Sequence, residues 1–140
     1  MDNIAMDTGD RKTILIIEDD ISIVKLLSHR LKKLGYDVMY ANNGYQGLRL
    51  AQTQRPDLII LDVLLPKMNG FKVCRLLKFD EKFQNIPVIM LTSRETESHM
   101  EMGRASGADE YVLKTDRRGT LLKAIQKYLE TENAQVSDEA

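Results

Sequence analysis

The sequence predicts an α/β fold in which five parallel strands form one sheet and helices cover its two faces. The first observation is that short apolar runs alternate with amphipathic segments between residues 14 and 129. The second is that the helical segments carry start and stop residues at their ends. The third is size, since 140 residues with 43% hydrophobic content suffice for one core and one domain. These observations together predict a (βα)5 architecture.

Five apolar runs predict the strands. They cover residues 14–17, 38–41, 58–61, 88–91 and 111–113. In the first run, ILII, no polar residue alternates with the apolar ones, which is typical of a strand buried on both faces. The remaining runs are separated by helical patterns, as expected for a parallel sheet.

The first two helices have clear boundaries in the sequence. In the first, Ile21, Val24, Leu27, Leu31 and Leu34 recur every three or four residues, and Gly35 follows as a stop signal. The second runs from about residue 45 to residue 54 and ends before Pro56. A residue that precedes a proline is disfavoured in the helical conformation, which explains this end.

The other three helices differ in amphipathic strength. The third places Val73, Cys74 and Leu77 on one face after a turn at Gly70, and the fifth places five apolar residues on one side between residues 121 and 129. The fourth, within residues 94–109, is weakly amphipathic. Cys74 is expected to be a small buried hydrophobic residue.

Composition and the chain ends limit the classes of function. Residues 1–12 and 131–140 are polar and lack periodicity, so we expect tails around a domain at residues 13–130. With 20 Lys+Arg against 21 Asp+Glu, no basic excess favours direct nucleic-acid binding. No apolar run reaches the roughly 18 residues of a membrane span, and residues 1–12 show neither the basic nor the apolar region of a signal peptide. We therefore expect a cytoplasmic protein without membrane association.

Acidic, hydroxyl and ammonium groups follow the strands at the edge where open parallel sheets bind ligands. They are Glu18, Asp19 and Asp20 after the first run, Asp62 after the third, Thr92 after the fourth and Lys114 after the fifth. Adjacent acids repel one another unless a positive charge lies among them. A divalent cation or a partner charge is therefore the first hypothesis, and a solvated turn is the alternative.

Four motifs in combination resemble the receiver domain of bacterial two-component response regulators, the CheY-like family. They are EDD at 18–20, DVLLPKMNG at 62–70, MLTS at 90–93 and YVLK at 111–114. Each motif alone is weak, but the set is specific. The resemblance spans about residues 13–130 and implies a doubly wound, flavodoxin-like sheet with strand order 2-1-3-4-5.

The resemblance implies that Asp62 is the phosphoacceptor. The donor would be a sensor histidine kinase, a phosphotransfer protein or acetyl phosphate. Mg²⁺ or Mn²⁺ would be bound by Asp19, Asp62 and the backbone carbonyl of Leu64, with Glu18 holding a metal-bound water, in keeping with the preference of Mg²⁺ for oxygen ligands. Asp20 is expected to be a helix N-cap or a solvated turn residue.

The resemblance also implies a switch. Lys114 and Thr92 would contact phosphoryl oxygens, and Tyr111 would rotate as Thr92 moves, which changes a docking surface on the fourth helix, fifth strand and fifth helix. Its target would be an unknown downstream protein, with the chain a monomer or a phosphorylation-dependent dimer. Simple packing is the alternative for Tyr111. Leu64 and Arg94 occupy lifetime-tuning positions, and a leucine that cannot bond an attacking water predicts slow self-dephosphorylation.

The sequence departs from the family after Lys114. Thr115 stands where proline is usual, and Asp116 where an aromatic residue is common. We expect a trans peptide bond, because a non-proline cis bond costs about 2.5–4 kcal/mol. Thr115 or Asp116 is then expected to cap the last helix.

Several functions compete with a stand-alone receiver that has no turnover substrate. One is a receiver that is part of a longer response regulator or hybrid histidine kinase. A haloacid-dehalogenase-like phosphohydrolase would need an acid two residues after Asp62, where Leu64 stands. A flavodoxin-like flavin carrier would need a phosphate cradle in place of the acids at residues 18–20.

Overall fold

The computed structural model describes residues 11–93, 97–116 and 119–130. The strands are β1 Thr13–Ile17, β2 Asp37–Ala41, β3 Leu58–Asp62, β4 Val88–Thr92 and β5 Glu110–Leu113. The helices are α1 Ile21–Lys33, α2 Gly44–Gln54, α3 Gly70–Lys78, α4 Glu97–Ala105 and α5 Thr120–Leu129. The predicted tails fall largely on residues 1–10 and 131–140, which lie outside this description.

The sheet is entirely parallel, with strand order β2-β1-β3-β4-β5. This confirms the predicted fold class and strand order. The order reverses at β1, and the register places Ile17 beside both Ala41 and Leu61. Because parallel strands all end at the same edge, the residues that follow β1, β3, β4 and β5 are brought together there.

The core lies on both faces of the sheet. Ile14 and Ile16 pack with Leu31 and Ile125 on the face covered by α1 and α5. Leu15 and Ile17 of the same strand pack with residues of α2 and α3 on the opposite face. Burial of each such side chain stabilises the fold by about 1.5–3 kcal/mol. The central strands are therefore rigid supports for the residues at their ends.

Three helices begin at the carboxyl edge with a side-chain cap. Asp20 accepts a hydrogen bond from the Ser22 backbone N–H at 3.0 Å, so it is the N-cap of α1. Asn43 and Asn69 cap α2 and α3 in the same way. A cap of this kind stabilises a helix by about 1 kcal/mol. The caps also anchor the three loops that surround the site.

The ends of α1 differ from the prediction. Ile21 and Leu34, which were expected on the buried stripe, are both exposed. The helix has 13 residues and β1 has five, so α1 is about 20 Å long against about 17 Å for the strand beneath it. Its terminal positions therefore extend past the strand that buries its middle.

The predicted cap of the last helix is also wrong. The N-cap of α5 is Gly119, which adopts φ 77° and makes no side-chain cap bond within the described residues. Asp116 accepts a hydrogen bond from the Thr120 hydroxyl at 2.8 Å instead. Asp116 thus contacts the side chain of the first helical residue and is not itself the N-cap. No described peptide bond is cis, which agrees with the trans bond expected before Thr115.

Candidate functional site

The residues that end or follow four neighbouring strands meet at the carboxyl edge. Asp62 is the last residue of β3 and lies in register with Leu91. Thr92 is the last residue of β4 and lies in register with Leu113, one residue before Lys114. Glu18 directly follows β1, the strand on the other side of β3. Topology alone thus gathers side chains that are far apart in the sequence.

Three carboxylates form a tight cluster at this edge. Oxygen atoms of Glu18, Asp19 and Asp62 all lie within 4.8 Å of one another. Glu18 is 2% exposed and Asp62 is 5% exposed, whereas Asp19 faces solvent. Two like charges 4 Å apart repel by about 4 kcal/mol in a partly screened environment. An all-oxygen donor set of this charge fits a hard divalent cation such as Mg²⁺.

Lys114 is the cation that the described residues supply to this cluster. Its Nζ lies 2.9 Å from Glu18 Oε1 and 3.2 Å from Asp62 Oδ2. The contact at Oε1 is an ion pair, because this buried oxygen receives no well-directed hydrogen bond within the part of the chain described. Among these residues one ammonium therefore faces three carboxylates, so the cluster keeps an excess of negative charge.

The pKa values of Glu18 and Lys114 reflect this imbalance. Burial raises the pKa of Glu18, and the charge of Asp62 raises it further, while Lys114 and the Asp20 N–H act in the opposite direction. Burial opposes the charge on Lys114, but the two neighbouring carboxylates outweigh it, so the pKa of Lys114 is raised. Lys114 is consequently held in its charged form at neutral pH.

Thr92 and Tyr111 form a second part of the site. Thr92 is 1% exposed and shares a side-chain hydrogen bond with the half-buried Tyr111 on β5. Burial raises the pKa of Tyr111, and the bond with Thr92 lowers it. The hydroxyl at the end of β4 is therefore linked directly to an aromatic ring on the neighbouring strand.

Close backbone packing positions the loop after β3. A side chain at Gly70 would place its Cβ 2.1 Å from the backbone oxygen of Asp62, and one at Gly44 would lie 1.8 Å from that of Met68. Gly44 N–H also donates to the Pro66 carbonyl at 3.2 Å. The motif predicted a turn at Gly70, but nothing local in the sequence indicated that Gly44 holds the same loop.

Two predicted lifetime positions have different outcomes. The Leu64 side chain is exposed beside Asp62, where it offers no hydrogen-bonding group. Arg94 lies outside the described residues. The structure thus brings Glu18, Asp19, Asp62 and Lys114 together and joins Thr92 to Tyr111. Among the described residues, no helix has the length and apolar character needed to cross a membrane.

Comparison with known protein families matches the response regulator receiver domain to residues 14–126 of this chain. The chain is 44% identical over 103 residues to the alkaline phosphatase synthesis transcriptional regulatory protein PhoP of Bacillus subtilis. That match covers 74% of this chain and 42% of PhoP. The chain spans about half the length of the curated relatives it matches.

Solved receiver structures are similar throughout the fold. The signal receiver domain of a histidine kinase from Syntrophus aciditrophicus has a TM-score of 0.80 and 34% identity, covering 86% of this chain and 91% of that one. The receiver domain of a sensor histidine kinase from Pseudomonas aeruginosa, with magnesium coordinated in its active-site cleft, has a TM-score of 0.78 and 28% identity, covering 86% and 98%. The chain therefore belongs to the response regulator receiver domain family.

Proposed function

We propose that this receiver accepts a phosphoryl group on Asp62 from a sensor histidine kinase or a phosphotransfer protein. The observation that carries the proposal is the position of Asp62, which lies 3.2 Å from Lys114 and within 4.8 Å of the carboxylates of Glu18 and Asp19. A carboxylate can attack phosphorus when the incoming negative charge is neutralised, and positioning does most of the remaining work. This edge offers both the nucleophile and the means of neutralisation.

The residues fit a divalent cation. Asp19, Asp62 and the backbone carbonyl of Leu64 would hold Mg²⁺ or Mn²⁺, and Glu18 would hold a bound water. The all-oxygen donor set and the buried Glu18 Oε1, which has no directed hydrogen bond from any described residue, support this assignment. The similar Pseudomonas receiver, with magnesium in its cleft, supports it as well. When bound, the ion supplies positive charge beside the transferred oxygens.

The transfer exchanges one bond to phosphorus for another. An Asp62 carboxylate oxygen attacks the phosphorus, and the bond from phosphorus to the donor imidazole nitrogen breaks. With acetyl phosphate the leaving group is acetate. Lys114 then pairs with one phosphoryl oxygen and the Thr92 hydroxyl donates to another, which stabilises the charge that develops there. The chain thereby promotes its own phosphorylation and dephosphorylation and has no separate turnover substrate.

The signal leaves the site through Thr92 and Tyr111. Movement of Thr92 toward the phosphoryl group would break or redirect its hydrogen bond with Tyr111 and reposition the ring. The surface of α4, β5 and α5 would change as a result, and a downstream protein would dock there. A buried phenol usually finds a hydrogen-bond partner, so this bond fits both the switch and simple packing of Tyr111, and movement of the ring on phosphorylation decides between them.

The remaining parts of the proposal concern the whole protein. We propose a cytoplasmic, stand-alone receiver at residues 13–130 that binds neither nucleic acid nor membrane and is a monomer or a phosphorylation-dependent dimer. The net charge of -1 supports the absence of nucleic-acid binding. The alternative is a receiver in a longer protein, which the length of PhoP relative to the match favours. The length of the intact gene decides between the two.

The exposed leucine beside the acceptor supports a long-lived phosphorylated state. Because Leu64 cannot bond an attacking water, we expect loss of the phosphoryl group over many minutes, and Arg94 occupies the second position that tunes this rate. Leu64→Asn should accelerate the loss by about tenfold, the value of one well-placed hydrogen bond in a transition state. The decay of the phosphorylated mass in purified protein measures both, and a wild-type lifetime of seconds would contradict the hypothesis.

The test of the proposed function is phosphoryl uptake from acetyl phosphate with Mg²⁺, followed by intact mass spectrometry. The wild type should gain one phosphoryl group and Asp62→Asn should gain none. Asp37→Asn is the matched control, because Asp37 is an exposed carboxylate whose partner is Arg11 at 3.1 Å, and it should label normally. Labelling that persists in Asp62→Asn would overturn the assignment of the acceptor.

A further inference from the structure

A glycine in α4 lies directly against the ring of Tyr111. Gly103 is buried, and a Cβ at this position would lie 2.7 Å from Tyr111 Cδ2 and 3.0 Å from Cε2. Optimal contact between carbon atoms occurs at about 3.5–4.0 Å, so a side chain at residue 103 and the ring cannot both occupy their places. Glycine also weakens a helix relative to alanine, so its presence inside α4 requires a reason.

Residues from three elements surround the ring of Tyr111. Gly103 contributes the open space from α4, and Phe71 of α3 borders it, with Cε1 3.9 Å from the Cβ position. Thr92 of β4 supplies the hydrogen bond. The buried Ser106 hydroxyl donates to the Gly103 carbonyl at 2.6 Å and fixes the helix end that carries the glycine. We call the space at Gly103 the α4 notch.

We propose that Gly103 is a positioning residue for the switch: the α4 notch holds the Tyr111 ring beside Thr92, and this position lets a phosphoryl group on Asp62 change the α4, β5 and α5 surface. The inference rests on the proposed function of Asp62 and Tyr111. A side chain at residue 103 would fill the α4 notch and displace the ring from it. The three nearest atoms to that position belong to Tyr111 and Phe71, so the acceptor site itself should stay intact.

The test compares Gly103→Ala with wild type by NMR of the five tyrosine rings after ¹³C labelling, with the Tyr111 signal assigned from Tyr111→Phe. In the absence of phosphate, the Tyr111 signal should move in Gly103→Ala. Addition of acetyl phosphate with Mg²⁺ should shift the Tyr111 signal of wild type. It should leave the Tyr111 signal of Gly103→Ala where it was before the addition. The rate of mass gain should change by no more than about twofold, the range of an ordinary neutral substitution. Met102→Ala, an exposed neighbour in α4, should change none of these.

Each outcome decides the proposal. An unchanged Tyr111 signal in Gly103→Ala, or a normal response to phosphorylation, would overturn it. A wild-type signal that ignores phosphoryl uptake would overturn the role in transmission. Failure of wild type to take up a phosphoryl group would instead refute the proposed function. The Tyr111 signals of wild type and Gly103→Ala without phosphate would still show whether Gly103 positions the ring. Should Gly103→Ala not fold, adding Tyr111→Ala should restore folding, and failure to do so would also overturn the proposal.

Discussion

Two clusters that pair a lysine with carboxylates lie at opposite edges of the same sheet. At the amino edge, Lys78 Nζ donates to Asp109 Oδ2 at 2.9 Å and to the Ile86 carbonyl at 3.0 Å. The same carboxylate oxygen accepts from the Val88 N–H at 2.8 Å. Among the described residues, one ammonium thus meets one carboxylate, and backbone groups complete the arrangement.

At the carboxyl edge the same residue types are out of balance. Lys114 contacts Glu18 and Asp62, Asp19 lies close by, and the Glu18 Oε1 has no directed hydrogen bond within the described ranges. Like charges held together reduce stability, and such groups are typical of functional sites. The difference teaches that charge balance and hydrogen-bond satisfaction, rather than residue type, separate a structural ion pair from a reactive cluster.

The largest expected effect comes from removing the lysine at each edge. Lys114→Met should slow phosphoryl uptake by about 100-fold, because the cation that would stabilise the transferred oxygens is lost. Lys78→Met should leave the rate within about twofold when both proteins are folded. Mass gain from acetyl phosphate with Mg²⁺ measures both rates. Equal effects of the two substitutions would remove the distinction between the edges.

Replacing one aspartate at each edge should change stability in opposite directions. Asp109→Asn leaves Lys78, which has 11% of its side chain exposed, without a charged partner, and should cost about 2 kcal/mol. Asp62→Asn relieves repulsion and should add about 1 kcal/mol without metal. Urea unfolding in the presence of a chelator gives both values. A loss of stability in Asp62→Asn would show that the carboxyl edge is not under electrostatic strain.

The acids at the carboxyl edge should control binding of a divalent cation. Glu18→Gln removes a buried charge beside Asp19 and Asp62 and should weaken Mg²⁺ binding about tenfold, the usual scale for a residue that orients metal ligands. Glu110→Gln, which alters a carboxylate paired with Lys127, is the control. NMR titration with Mg²⁺ measures the affinities. Unchanged binding in Glu18→Gln would contradict its assigned role.

The smallest expected effect concerns alkaline pH near the balanced edge. The Tyr128 hydroxyl donates to Glu110 Oε2 at 2.9 Å, and burial followed by this carboxylate raises the pKa of Tyr128 from 10.0 to about 12. The unfolded chain ionises first, so this contribution to stability is complete below pH 10 and is lost as the pH rises to about 12. Tyr128→Phe should lack this pH dependence, a change of about 0.5 kcal/mol after solvent screening.

Urea unfolding of wild type and Tyr128→Phe between these pH values measures the difference. Parallel loss of stability in the two proteins would refute the role of the phenol. The bond between Tyr128 and Glu110 lies at the amino edge, apart from the acidic cluster. A difference in stability between the two proteins would therefore report a pH response of the amino edge.

The elements and the carboxyl-edge residues were predictable because they depend on local patterns. Apolar runs set the strands, and parallel topology brings their ends together. Asp62 and Lys114 could therefore be placed at the same edge although they are 52 positions apart in the sequence. The exposed Ile21 and Leu34 were not predictable, because helix periodicity does not show how far the strand beneath extends. The cap of α5 was missed because the N-cap residue, Gly119, has no side chain that a capping pattern could reveal.

Contacts between distant elements were also beyond the sequence. Lys78 and Asp109 are 31 positions apart and resemble surface residues in their own segments. Gly103 lies in the helix whose sequence is weakly amphipathic, and the structure shows that its missing side chain accommodates Tyr111. Such residues are determined by distances of a few ångströms between elements, which periodicity does not supply.

The most direct measurement is the location of the phosphoryl group after reaction of wild type with acetyl phosphate and Mg²⁺. Tandem mass spectrometry of the peptide that contains DVLLPKMNG should find the modification on Asp62, the buried carboxylate beside Lys114. It should be absent when a chelator replaces the metal. A phosphoryl group on Glu18, Asp19 or any residue outside the cluster would contradict the central claim that this unbalanced edge is the site of phosphoryl transfer.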